Sequence, residues 1–337
     1  MFKDIINTIG ARYIVAFLNL MLIFINSKVL GREGMGVVGI LYASANIAVI
    51  FNSILCGNTI VYFMNRYNMR YVFFPAYIWA FIGSLSVCGV MFALNILPEG
   101  YEITVFALAT LISLFTANTL MVFGKDNVKG FNLAFIIQGL LMFLTLLFMY
   151  YVAGYNNITG YLTGLFAAYS TAFIYSFALL FRHLAKNRNR AVAASFFSVL
   201  KEMFVYGLWS GVDNLAEGLT TRINYFTVKQ MSGGYGNVGL LDSGTKISES
   251  VWHISNSVSF IEYGSVSKTT DRQAQKTVTL RLFKLTYCAL AVVMAVVVCL
   301  PEWLYTDYLM APEFAGIRKI IIGLAAGVVA LGSNRIL

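Results

Sequence analysis

The chain has 337 residues, 59% hydrophobic and 12% charged, with a mean hydropathy of +0.74 and a net charge of +9. A soluble domain could not hide that much apolar surface, so the bilayer must be the solvent for most of it. The connecting segments leave no room for a soluble catalytic or nucleotide-binding domain.

Met1–Gly10 is a short polar lead-in without a cleavable signal pattern. Apolar stretches of about 20 residues follow, the length that crosses a hydrocarbon core. They run over 10–30, 36–64, 72–95, 103–123, 131–153 and 159–182, then 203–231, 237–266, 281–301 and 315–334. The short alternating segments of a membrane barrel are absent from the pattern, so the expected class is an all-α polytopic membrane protein.

A long-period repeat organises these spans. Residues 34–47, GMGVVGILYASANI, return as 234–247, GYGNVGLLDSGTKI, and Leu97-Pro98-Glu99 returns as Leu300-Pro301-Glu302. Gly34/Gly234, Gly36/Gly236, Val38/Val238, Gly39/Gly239, Leu41/Leu241 and Ile47/Ile247 are identical. Related halves that both start on one side of the membrane predict parallel lobes, an arrangement transporters use with the substrate path between them. The expected organisation is a six-helix lobe over 1–182, a basic linker over 183–202 and a second lobe over 203–337. Against the first lobe, the second is expected to lack its last two helices, as in a truncated chain or, less simply, one whose partner supplies them.

Charge follows the same plan. Most Lys and Arg fall on the side of the N-terminus, and the longest basic run, Arg182 to Lys201, joins the sixth and seventh spans. The segments 95–102 and 302–313 carry Glu99, Glu102, Glu302, Asp307 and Glu313 and no Lys or Arg. That bias places the N-terminus in the cytoplasm and makes anionic lipid headgroups, rather than nucleic acid, the partner of the basic loops. Lys28, Arg32, Lys229, Arg318 and Lys319 are then left on the far side, with Arg222 and Lys246 within spans.

Polar groups inside the spans are the candidate site. In the eighth span Asp242, Lys246, Glu249, His253 and Asn256 are spaced to share one helical stripe, which belongs in a bundle interior or a cavity because such groups are costly against lipid. A structural network, with Asp242 and Glu249 pairing with Lys246, is the competing reading. The seventh span places Asp213, Glu217, Thr220 and Asn224 on one face, and Arg222 on another. Arg222 is too deep to reach the interface cheaply and needs either an anion or a carboxylate. The first span carries Arg12, Asn19 and Asn26, and the second Asn46, Asn52, Ser53 and Asn58; hydrogen bonding between helices is the plainer role for the asparagines, and Arg12 reads as a topology charge or as part of an inward-facing binding rim.

Neither His183 nor His253 has a triad or metal-ligand context, so no catalytic residues, metal or cofactor are expected. Cys56, Cys88, Cys288 and Cys299 read as small apolar fillers rather than disulfide partners. The glycines of 31–39 and 233–239 lack the Gly-Lys-Ser/Thr ending of a phosphate loop and read as tight turns between spans.

The segment from Arg12 to Arg66, above all SKVLGREGMGVVGILYASANI, resembles the N-terminal signature of polysaccharide and O-antigen flippases. These belong to the multidrug/oligosaccharidyl-lipid/polysaccharide exporter superfamily, and Leu30-Gly31, Gly34, Gly36 and Gly39 are similar to the family's turn between helices one and two. The resemblance implies two six-helix lobes around a central cavity that opens alternately to each side. It implies a lipid-linked oligosaccharide, carried on undecaprenyl diphosphate, as cargo. This would move across the bacterial inner membrane, coupled to Na+ or H+, beside polysaccharide polymerase machinery. A cationic cavity is then expected, with Arg222, Lys246 and Arg12 as the available cations and Asp242, Glu249, His253 and Asn256 lining it. Asp213, Glu217 and Asn224 are the candidates for ion coupling. The acidic residues outnumber the cations, which also suits a cation-coupled multidrug exporter of the same superfamily.

Overall fold

The computed structural model describes residues 2–64, 66–186, 195–266 and 272–336. Side chains are described over the same ranges except at 2–9, 11, 12, 182–186, 213, 217, 260–266, 272 and 274. Among the described residues every regular element is a helix. In chain order these are α1 (Phe2–Cys56), α2 (Asn58–Met64), α3 (Met69–Ala93), α4 (Glu102–Phe123), α5 (Val128–Leu147) and α6 (Ile158–Lys186). Then come α7 (Phe196–Gln230), α8 (Gly234–Glu249), α9 (Trp252–Val266), α10 (Arg272–Cys299) and α11 (Ile317–Asn334). Short π-helical turns cover Phe148–Val152 and Leu304–Leu309.

Seven of these helical stretches are long and apolar enough to cross a membrane. The first, Tyr13–Met64, contains two of the expected spans. At about 1.5 Å per residue the 55-residue α1 is far longer than a bilayer core of about 30 Å, so it cannot be one crossing. The division falls at Gly31, whose φ of 66° and ψ of −178° interrupt the helical conformation. A side chain at that φ is strained, which is why a glycine stands there. The expected loop between the first two spans is thus a single-residue break.

The eighth span also differs from expectation. Instead of one helix over 237–266 there are two, α8 and α9, joined at Ser250 and Val251. Hydroxyls in this stretch bond back to the main chain, Ser248 Oγ to Gly244 O at 2.8 Å and Ser250 Oγ to Ile247 O at 2.6 Å. Such local bonds compete with the helical ladder. Elsewhere asparagines cap helix starts: Asn68 accepts from Arg70 N, Asn127 from Gly130 N and Asn157 from Gly160 N.

The chain divides into two compact units, Val37–Gly234 and Met1–Gly36 with Tyr235–Leu337. In the first, Ile60, Met64, Val72, Ala80, Met121 and Val199 belong to one buried core. Close helix approach there depends on small residues: a Cβ on Gly207 would overlap the Ile54 carbonyl, and one on Gly218 would strike Ile50 Cδ1. In the second unit Ile247, Trp252, Leu290, Phe314, Ile317 and Ile321 form the core, joined by Ile23 and Met35 from the N-terminal segment. Large apolar side chains such as Phe17, Phe81, Ile103 and Trp209 are exposed, as expected where lipid is the solvent. This is a multi-pass, all-α membrane protein.

Candidate functional site

The polar residues fall into separate groups, one set in each unit. In the unit of residues 37–234, Asn52 is wholly buried and reaches across three helices. Its Nδ2 donates to Ala80 O at 3.2 Å and to Ser84 Oγ and Ser113 Oγ at 2.8 Å each. A Cβ on Gly83 would overlap Asn52 Oδ1, so the glycine makes the room for this amide. A second relay runs from Tyr77, whose hydroxyl donates to Asn118 Oδ1 at 2.6 Å, to Ser176 Oγ, 3.3 Å from Asn118 Nδ2. Interhelical hydrogen bonding was the plainer reading for the asparagines, and Asn52 follows it.

On α7, Arg222 is half-buried. Its Nη1 donates to the hydroxyl of Tyr225 at 3.2 Å, and the guanidinium carbon stands 5.7 Å from that ring's centre. Tyr225 is itself buried, so this contact holds the arginine against its own helix. Asn224, one residue earlier, is exposed. Asp213 and Glu217 on the same helix, and Arg12 on α1, lie outside the described side chains.

The other unit contains the ion pair that the spacing suggested. Lys246 Nζ lies 2.7 Å from Asp242 Oδ2 across one turn of α8, with the carboxylate side chain 3% exposed and the lysine 26%. Because removing either charge strands the other in a poorly hydrated place, the two are energetically tied. Ser243 Oγ beside them is buried without a hydrogen-bond partner. Glu249 and His253 are half-buried at the end of α8 and the start of α9. The break at Ser250–Val251 therefore assigns Asp242, Lys246 and Glu249 to one helix and His253 and Asn256 to the next.

A cation that the sequence did not single out lies in the same unit. Arg335 Nη1 donates to Asn256 Oδ1 at 3.0 Å, and its guanidinium lies 4.3 Å from the Trp252 ring centre. The indole is fixed in turn, with Nε1 donating to Val328 O at 2.7 Å and Gly332 packed so close that a Cβ there would overlap the ring. No local pattern could reveal this, because the partners are 79 positions apart. This unit thus carries two polar pairs, Asp242 with Lys246 on α8, and Asn256 of α9 with Arg335 at the C-terminal end of α11. Among the described residues no cluster of His, Cys, Asp and Glu has the makings of a metal site.

No known protein-family model matches this sequence, and no curated protein matches it. Solved structures do resemble it. A multidrug resistance MATE family transporter of the MOP superfamily, in its inward-facing conformation, is similar with a TM-score of 0.67 and 14% identity, over 98% of this chain and 82% of that one. An outward-facing MATE transporter gives 0.57 and 14%, over 99% and 80%. A MOP superfamily transporter from Pyrococcus furiosus, described for the reversed polarity of its binding pocket, gives 0.55 and 14%, over 99% and 82%. At such identities the likeness establishes the fold, which is that of transporters in the MOP superfamily.

Proposed function

We propose that this chain is a cation-coupled transporter of the MOP type that exports an amphipathic compound by alternating access. The observation that carries the reading is the likeness of nearly the whole chain to MATE transporters, at a TM-score of 0.67. Chemistry within the site agrees with it. Asp242 and Lys246 neutralise each other at 2.7 Å. A cationic group of the cargo arriving at Asp242 displaces Lys246 and competes for the same carboxylate with a proton or metal cation, so cargo and coupling ion occupy Asp242 in turn. Arg335, held against the Trp252 ring, adds fixed positive charge for an anionic portion of the cargo.

A second reading narrows the cargo to a lipid-linked oligosaccharide on undecaprenyl diphosphate, moved across the bacterial inner membrane with the N-terminus in the cytoplasm. It is favoured by the segment SKVLGREGMGVVGILYASANI and its resemblance to polysaccharide flippases. The two cargoes separate in one pair of assays. In cells stripped of their own drug exporters, the drug-export reading expects the protein to lower the accumulation of cationic dyes when an ion gradient is present. Deleting the gene in its host, on the flippase reading, causes the lipid-linked intermediate to build up and surface glycan to fall. If neither changes, both cargo assignments are wrong.

A further inference from the structure

α2 ends at Met64 and α3 begins at Met69, and both belong to stretches long enough to cross a membrane. The turn between them therefore stands where bilayer meets water, at one end of the unit of residues 37–234. Two other segments meet it there. Lys125, in the turn between α4 and α5, donates from Nζ to Met64 O at 3.2 Å. The start of α7 is fastened at three points. Tyr71 lies near Phe196 with ring centres 6.1 Å apart, the Tyr67 hydroxyl donates to Glu202 Oε2 at 2.8 Å, and Tyr62 stacks on Tyr206 at 4.6 Å.

This junction holds a fixed cation. The Arg66 guanidinium carbon stands 4.0 Å from the Tyr62 ring centre, so the arginine is pinned by its face. Its N–H edge stays open to an acceptor, and among the described residues its side chain bonds to none. Lys201 is exposed beside Glu202, whose carboxylate is engaged by Tyr67. Over the three segments Arg66, Arg70, Lys125, Lys129 and Lys201 are set against Asp126 and Glu202 as the acids. An apolar stripe continues from this basic end. Val205, Leu208, Trp209 and Val212 recur at helical spacing on one side of α7 and are exposed, Trp209 to 79%.

We infer that this junction is a binding site for one anionic phospholipid of the bilayer. Its phosphate rests on the N–H edge of Arg66, with Lys201 beside it, and an acyl chain lies along Val205, Leu208, Trp209 and Val212. Basic loops meet anionic headgroups in general; here an oriented fork and an exposed apolar stripe on the same side of the junction select a single place. A free phosphate would use the cations and leave the stripe bare, and a neutral lipid would do the reverse. The site belongs to one compact unit and does not depend on the transport reading.

Trp209 is the probe, read as the quenching that disappears in Trp209→Phe. The protein is reconstituted in phosphatidylcholine bilayers containing a minor fraction of either brominated phosphatidylglycerol or brominated phosphatidylcholine. The site predicts that phosphatidylglycerol quenches Trp209 as if about fivefold enriched beside it, the weight of one interfacial cation. Arg66→Ala should remove most of that preference, and Arg66→Lys, which keeps the charge without the fork, should retain part. Lys319→Ala, an exposed lysine of the other unit, should leave it unchanged. Should Arg66→Ala fail to insert, Lys201→Ala is expected to lower the preference by a smaller factor. Equal quenching by the two lipids overturns the site, as does a preference that survives both substitutions. Loss of the preference on adding millimolar inorganic phosphate overturns the lipid assignment and leaves a site for free phosphate.

Discussion

The Asp242–Lys246 pair gives the sharpest energetic prediction. Truncating one member of a fully buried pair costs about 3–5 kcal/mol, mostly because the survivor is left charged without a partner. Lys246 keeps 26% of its side chain exposed and can be partly rehydrated, so Asp242→Ala should cost less, about 2 kcal/mol. In a protein of 337 residues that lowers the melting temperature by about 3 °C. Adding Lys246→Met removes the stranded charge and keeps its apolar stem, so the double variant should melt above the single one, within about 1 °C of the parent. Thermal unfolding of detergent-solubilised protein, followed by tryptophan fluorescence, measures both. The double variant should regain stability and still not transport, since both exchange partners are gone. If the double variant melts lower than Asp242→Ala, as additive losses require, the pair is not energetically coupled and the exchange mechanism loses its basis.

Other perturbations test the helix contacts and the remaining polar groups. Gly207→Val drives two methyl groups toward the Ile54 carbonyl and should cost about 3 kcal/mol or prevent folding, read as loss of the monodisperse protein in detergent. Asn52→Leu removes the amide that joins α1 to Ser84 and Ser113. It should cost about 1–3 kcal/mol, seen as a lower melting temperature with the oligomeric state unchanged. Cys56 and Cys88 are buried thiols, so a permeant maleimide should label them only after denaturation, and the protein should run identically on reducing and non-reducing gels. Arg335→Ala uncovers the Trp252 ring and frees Asn256. It should shift tryptophan emission and weaken anionic cargo by about tenfold in apparent affinity, the equivalent of about 1.4 kcal/mol.

Much of the fold was legible because the bilayer imposes a strong pattern. Helix existence followed from runs of about 20 apolar residues. Breaks were harder to see. At Gly31 a single dihedral does the work of the loop expected there, and hydropathy does not register one residue. At Ser248–Val251 the apolar pattern runs on, while serine hydroxyls divide what looked like one helix into α8 and α9. The Asp242–Lys246 pair was readable because its spacing is local. Arg335 with Asn256, and Arg32 with Gly236 and Glu313, depend on contacts 79, 204 and 281 positions apart, beyond any periodicity argument. The repeated glycines were visible as a signature, but their purpose was not. They permit the meeting of Gly36 with Tyr235 and of Gly239 with Arg32, which only the packing reveals.

The central claim is transport driven by an ion gradient, and reconstitution tests it most directly. The purified chain in proteoliposomes, with an imposed proton or sodium gradient, should move a fluorescent amphipathic cation or a lipid-linked oligosaccharide analogue against its concentration, and Asp242→Asn should abolish that coupling. Movement that stays equal with and without either gradient, or that Asp242→Asn leaves intact, would contradict the account.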